Sequence, residues 1–109
     1  MATKRQGSPI ARAKQISSDF VERQKDLNIA GVNFLKTDLE TALTFSSMAL
    51  ETDDPVKKRR MTRKARQAFD TITHLLGRVT MSASDTQFMD KNLRRLKREL
   101  GTLGETFQD

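Results

Sequence analysis

Apolar positions in this chain recur every three or four residues rather than alternating, and their widest band lies in Leu27–Leu50. At about 100° per residue, Leu27, Ala30, Phe34, Leu35, Leu39, Ala42, Leu43, Phe45, Met48, Ala49 and Leu50 sweep roughly 220°, about twice a one-sided stripe. The spacing predicts a central helix with more than one neighbour, and it argues against a strand. Asp38 interrupts this face between Phe34, Ala42 and Phe45. An unpaired buried charge is costly, so Asp38 is expected to meet a basic residue of the following helix.

Upstream, Ser8-Pro9 can start a helix, and Ile10, Ala13, Ile16 and Phe20 extend it to about Lys25. Ser17 and Ser18 weaken it, and Asp26 to Gly31 is where it would break or bend. The pattern leaves open one helix of about forty residues or two; a separate N-terminal helix would fold back over the surplus apolar face. Downstream, Glu51-Thr52-Asp53-Asp54-Pro55 places capping aspartates before a proline at the first position of the next helix. Met61, Ala65, Ala68, Phe69, Ile72, Leu75, Leu76 and Val79 then hold a narrow stripe over about Pro55 to Val79, with Gly77 fraying its end. Thr80 to Ser84 is a connector, where Ser84 and Gln87 fit a capping box. A third helix follows from about Asp85 to Leu103, with Met89, Leu93, Leu96, Leu100 and Leu103 in a coiled-coil-like seam. Gly101 and Gly104 weaken its end.

The expected fold is all-α: an up-and-down antiparallel three-helix bundle with an additional N-terminal helix or helix extension. Residues 1–8 are expected to be a disordered basic tail, 9–104 one bundle domain, and 105–109 a loose C-terminal tail.

Composition narrows the chemistry. The 109 residues suffice for a modest core but not for an enzyme with a deep cleft of its own. There is no cysteine, which removes disulfides, thiol nucleophiles and cysteine-ligated zinc, and His74 is the one histidine. No cofactor is expected. With no apolar run of eighteen residues and no apolar core near the N-terminus, a soluble, cytoplasmic protein is expected. The formal charge of +6 and sequence pI near 10.1 make an anionic partner possible.

That charge is concentrated. Lys57-Lys58-Arg59-Arg60-Met61-Thr62-Arg63-Lys64-Ala65-Arg66 holds seven bases and no acid. Arg59, Arg60, Arg63 and Arg66 fall away from the core stripe, and Arg94 and Arg98 lie outside the seam of the third helix. If those helices are antiparallel, Arg66 and Arg98 share a level and the bases merge into one phosphate-binding patch. The competing reading is a solvated face partly neutralised by Asp38, Glu40, Glu51, Asp53 and Asp54. With no tyrosine or tryptophan to stack on bases, sequence-specific recognition is not expected. His74 stands four residues after Asp70, as in a surface pair, and no nucleophile accompanies them. The methionines read as core packing.

Ala65-Arg66-Gln67-Ala68-Phe69, an A-x-x-x-F pattern followed by Ile72, resembles part of a tetratricopeptide-repeat (TPR) hairpin. The overall pattern resembles small all-helical bacterial proteins and, more distantly, the three-helix MIT adaptor domain. The resemblance implies a partner-binding scaffold rather than catalysis.

The expected function is therefore a non-enzymatic helical protein–protein interaction module with Phe34, Asp38, Phe45 and Met48 on its partner face, engaging a protein partner or a second copy. The alternative is a nucleic-acid-binding protein using the arginine face. Membrane attachment has little support, because Ile10, Ile16 and Phe20 offer little apolar area. No small-molecule substrate is implied.

Overall fold

The computed structural model describes the backbone of residues 9–108 and side chains from residue 18 onward. The expected tail over residues 1–8, and Asp109, lie outside the described residues. Three helices, α1 (Pro9–Glu51), α2 (Pro55–Leu76) and α3 (Ala83–Thr102), account for the secondary structure, and no strand is present among the described residues. The chain divides into two units, Met1–Ala30 and Gly31–Asp109.

Helix α1 runs through Asp26 to Gly31 without a break, so the separate N-terminal helix does not form. Asp, Asn and Gly there lower helix propensity by about 1 kcal/mol or less each, and no proline removes an amide. The two prolines of the chain, Pro9 and Pro55, each begin a helix instead. Within the first unit, the described side chains belong to this one helical segment. Phe20, Val21, Leu27 and Ile29 are exposed on it, Phe20 by 61% and Leu27 by 67%.

The second unit holds the core. Leu35, Leu39, Ala42 and Leu43 of α1 pack with Ala65 and Ile72 of α2 and with Met89, Leu96 and Leu100 of α3. Val32 and Ala49 are also buried. Phe34 (54% exposed) and Leu50 stay outside, so the wide apolar band of α1 is only partly covered. Ser46, absent from the apolar pattern, is fully buried; its hydroxyl lies 2.5 Å from Glu99 Oε1 and 3.0 Å from the Leu43 carbonyl. Gly31 lies close to Val79, where an added Cβ would come within 3.1 Å of a valine methyl.

The helix ends follow from local chemistry. Pro55 has no amide and cannot continue α1. The Asp54 carboxylate accepts from the Val56 amide at 3.0 Å, capping α2 as expected. Helix α3 starts two residues earlier than the Ser84 capping box implied: Ser82 is the N-cap, accepting from the Asp85 amide at 3.1 Å, because that hydroxyl is the one three residues ahead of an open amide. At its other end Gly104 takes φ 97°, Gly104 N–H donates to the Gly101 carbonyl, and Glu105 N–H donates to the Leu100 carbonyl. This is a Schellman closure, which needs a residue tolerant of positive φ. It turns the chain sharply into a return through residues 105–108, where Arg66 reaches Glu105 and the Thr106 carbonyl and Phe107 packs against Phe69.

Candidate interaction surfaces

The residues singled out for function separate into three settings. The basic end of α2 is the first. Lys57 is half-buried and Lys58, Arg59, Arg60 and Arg63 are exposed. Among the described residues no ion pair engages any of these five. No acid occupies the first turn of α2, so lysines sit at the positive end of the helix dipole, where cations are locally unfavourable. An open groove of about 380 Å³ runs beside them, lined by Lys58, Arg59, Thr62, Arg63, Arg66 and Gln67 of α2 with Leu103 and Glu105 of the return.

Arg66 belongs to a different setting. Its Nε donates to Asp70 at 3.0 Å, and its Nη1 donates to Glu105 at 3.3 Å and to the Thr106 carbonyl at 2.7 Å. Its guanidinium also stacks over Phe107, 4.4 Å from the ring centroid. Phe107 packs edge-on against Phe69 at 5.0 Å and receives Lys97 on its ring. Arg66 is thus the clamp of the C-terminal return rather than a free phosphate ligand. The pairing expected between Asp70 and His74 is replaced by Arg66–Asp70, because arginine four residues before the carboxylate offers a charged donor; His74 lies instead 3.5 Å from Arg78. Arg94 is paired with Asp90 on its own helix at 3.1 Å. Arg98 is exposed. The six arginines therefore do not form one uniform patch: Arg59, Arg60 and Arg63 cluster on α2, while Arg66 and Arg94 are engaged.

The third setting is the partner face on α1. Phe34 is exposed, whereas Asp38, Phe45 and Met48 are half-buried. Phe45 packs against the core with Lys64 over its ring at 5.4 Å. Met48 lines a shallow groove of about 530 Å³ with Leu43, Thr44, Phe88 and Arg95. Asp38 makes no ion pair among the described residues; it is not buried deeply enough to lose water, which removes the reason to expect one. The cross-helix carboxylate pair belongs elsewhere: Lys36 of α1 meets Asp85 of α3 at 3.0 Å and lies over Phe88. The hydrogen bond from Lys36 holds the Asp85 carboxyl below its ordinary value of 3.8; partial desolvation opposes this, and the Lys36 charge and Ser82 add to it. Neither this pair nor Ser46–Glu99 has a signal in apolar periodicity.

Among the described residues no group of three or more His, Cys, Asp or Glu side chains is placed to hold a metal ion, and no helix is long and apolar enough to cross a membrane. Comparison with protein-family models, with curated proteins and with solved structures finds no match to this chain.

Proposed function

We propose that this chain is a non-enzymatic helical interaction module, acting in the cytoplasm, that engages a protein partner through apolar surface of α1. The observation that carries the reading is the exposure of large apolar side chains on α1: Phe34, 54% exposed beside the buried Leu35 and Leu39, and, in the first unit, Phe20 and Leu27, each more than 60% exposed. Large apolar side chains grouped on one exposed element mark interaction surfaces. An up-and-down three-helix arrangement for residues 31–108 would serve as the rigid support. It is supported by the approach of Gly31 to Val79 and of Phe45 to Lys64, with opposite chain sense, and by Lys36–Asp85 and Ser46–Glu99, with the same sense.

The test is a photoreactive phenylalanine analogue introduced at Phe34, compared with one at exposed His74 on α2, and irradiated in cells. A defined adduct from Phe34 and none from His74 is expected. No adduct from Phe34 would overturn the reading. A companion pair of variants separates face from core. Phe34→Glu should change stability by no more than about 0.5 kcal/mol, as exposed substitutions do. Phe45→Glu, which places a carboxylate against the core, should cost several-fold more, read by chemical denaturation.

A second reading is nucleic-acid binding, favoured by the unpaired bases of α2 around the groove beside Arg59 and Arg63. Here the contacts would be to phosphates, sequence-independent and salt-dependent. Anisotropy titration with labelled DNA and RNA at low and near-physiological salt tests it. Binding that survives the higher salt and falls roughly equally for all sequences in Arg59→Glu/Arg63→Glu supports it. Binding untouched by that substitution rejects it.

A further inference from the structure

Arg59, Arg63 and Arg66 follow one another on α2 at steps of four and three residues, the spacing that puts helix neighbours on one row. All three line the groove of about 380 Å³ between α2 and the C-terminal return. Arg59 and Arg63 have no ion pair among the described residues, but Arg66 is taken. Its Nη1 donates to the Glu105 carboxylate at 3.3 Å and to the Thr106 carbonyl at 2.7 Å. Glu105 is the one acid that lines this groove. A carboxylate on a guanidinium makes the contact that a phosphate oxygen makes there, and its charge opposes a second anion at Arg63, one helix step away.

The contacts that place Glu105 are separable from its charge. Gly104 at φ 97° turns the chain back, and Phe107 seats edge-on against Phe69 at 5.0 Å with Arg66 over its ring. The Glu105 side chain keeps 33% of its surface in solvent, so an incoming anion can reach it. Asp70 holds the Nε edge of Arg66 independently at 3.0 Å. Removing the carboxylate of Glu105 therefore leaves the guanidinium positioned beside Arg63.

We propose that Glu105 is a built-in competitor for the phosphate-binding face of α2: it occupies Arg66, and a nucleic-acid phosphate must displace it to gain the third arginine of the row. The inference rests on the nucleic-acid reading above and adds to it the residue that limits affinity.

The test is an anisotropy titration of the full chain with labelled duplex DNA over a salt series, repeated on Glu105→Gln, which keeps the side-chain shape and an acceptor for Arg66 but drops the charge. Binding should tighten roughly threefold or more at low salt. The plot of log affinity against log salt should steepen by about 0.9, the mark of one added phosphate contact. Glu40→Gln, which removes the same charge from an exposed position of α1, should leave the slope unchanged. Adding Arg66→Gln to Glu105→Gln should cancel the gain, because the freed ligand is gone. If Glu105 were only structural, Glu105→Gln would lower the denaturation midpoint without moving the salt slope, and that result overturns the proposal. So does an equal gain from Glu40→Gln, or a gain that persists without Arg66. Parent binding that falls in Arg59→Glu/Arg63→Glu but ignores Glu105→Gln defeats the competitor and leaves the nucleic-acid reading standing; no binding by either the parent or Glu105→Gln defeats both.

Discussion

Asp85 is the residue whose protonation the structure ties most directly to stability. The Lys36 hydrogen bond holds its carboxyl below 3.8 in the folded chain, so the unfolded chain binds protons first as pH falls. Its contribution is therefore fully present above that value and is lost as pH drops through the lower folded one. The stability difference between the parent and Asp85→Asn should shrink below pH 3.8, measured by denaturation at a series of pH values. A constant difference would mean that Lys36 does not hold the carboxylate. Gly104 makes a second residue-level case. At φ 97° an added Cβ is strained although nothing crowds it, so Gly104→Ala should cost about 1 kcal/mol through backbone conformation alone. Gly31 is the reverse: its helix conformation suits alanine, but Val79 stands within 3.1 Å of the new methyl. Whether that valine methyl can give way by a few tenths of an ångström decides the sign of Gly31→Ala.

At the scale of elements, the C-terminal return behaves as a fourth packing piece without being a helix. Phe107 takes an edge-on contact from Phe69 and two cations on its ring, while Arg66 closes over the segment with hydrogen bonds to Glu105 and Thr106. Aromatic pairs contribute about 0.5–1.5 kcal/mol beyond area burial, and a cation over a ring about 0.5–1 kcal/mol at exposed sites. Phe107→Ala should accordingly destabilise the chain by roughly 1–3 kcal/mol, read from the urea midpoint. Arg66→Lys should recover little of a loss seen in Arg66→Ala, because an ammonium lacks the planar fork that serves the carboxylate, the carbonyl and the ring together. Equal stability of Arg66→Lys and the parent would show that charge alone holds the return. Helix α2 ends at Leu76, with Gly77 as its C-cap, rather than at Val79. The periodic pattern located the core stripes of α2 and α3 and the N-cap of α2, because apolar spacing and Asp54-Pro55 are local signals. The return was illegible for the same reason. Its partners on α2, Arg66 and Phe69, are more than thirty residues away, and Gly104 reads as a helix breaker until the hydrogen bonds around it are seen.

For the whole molecule, the two units should differ in protection. Leu35, Leu39 and Ala42 are sealed by α2 and α3, whereas the described residues of the first unit show no such cover. Amide exchange at high dilution should be fast over residues 18–30 and slow over 35–49. The sequence by itself determined that the chain is all-helical, where α2 and α3 lie within a few residues, and that α1 carries more apolar surface than one neighbour covers, because each of these depends on spacing and capping along a short stretch. Tertiary structure decided which part of that surface is core and which bases are free. Leu39 and Phe34 are equally apolar in sequence, yet α2 and α3 bury one and leave the other in solvent. Arg63 and Arg66 are the same residue on one basic run, yet the returning tail engages only Arg66. Burial and ion pairing depend on what arrives from a distant part of the chain, and no local pattern encodes that arrival.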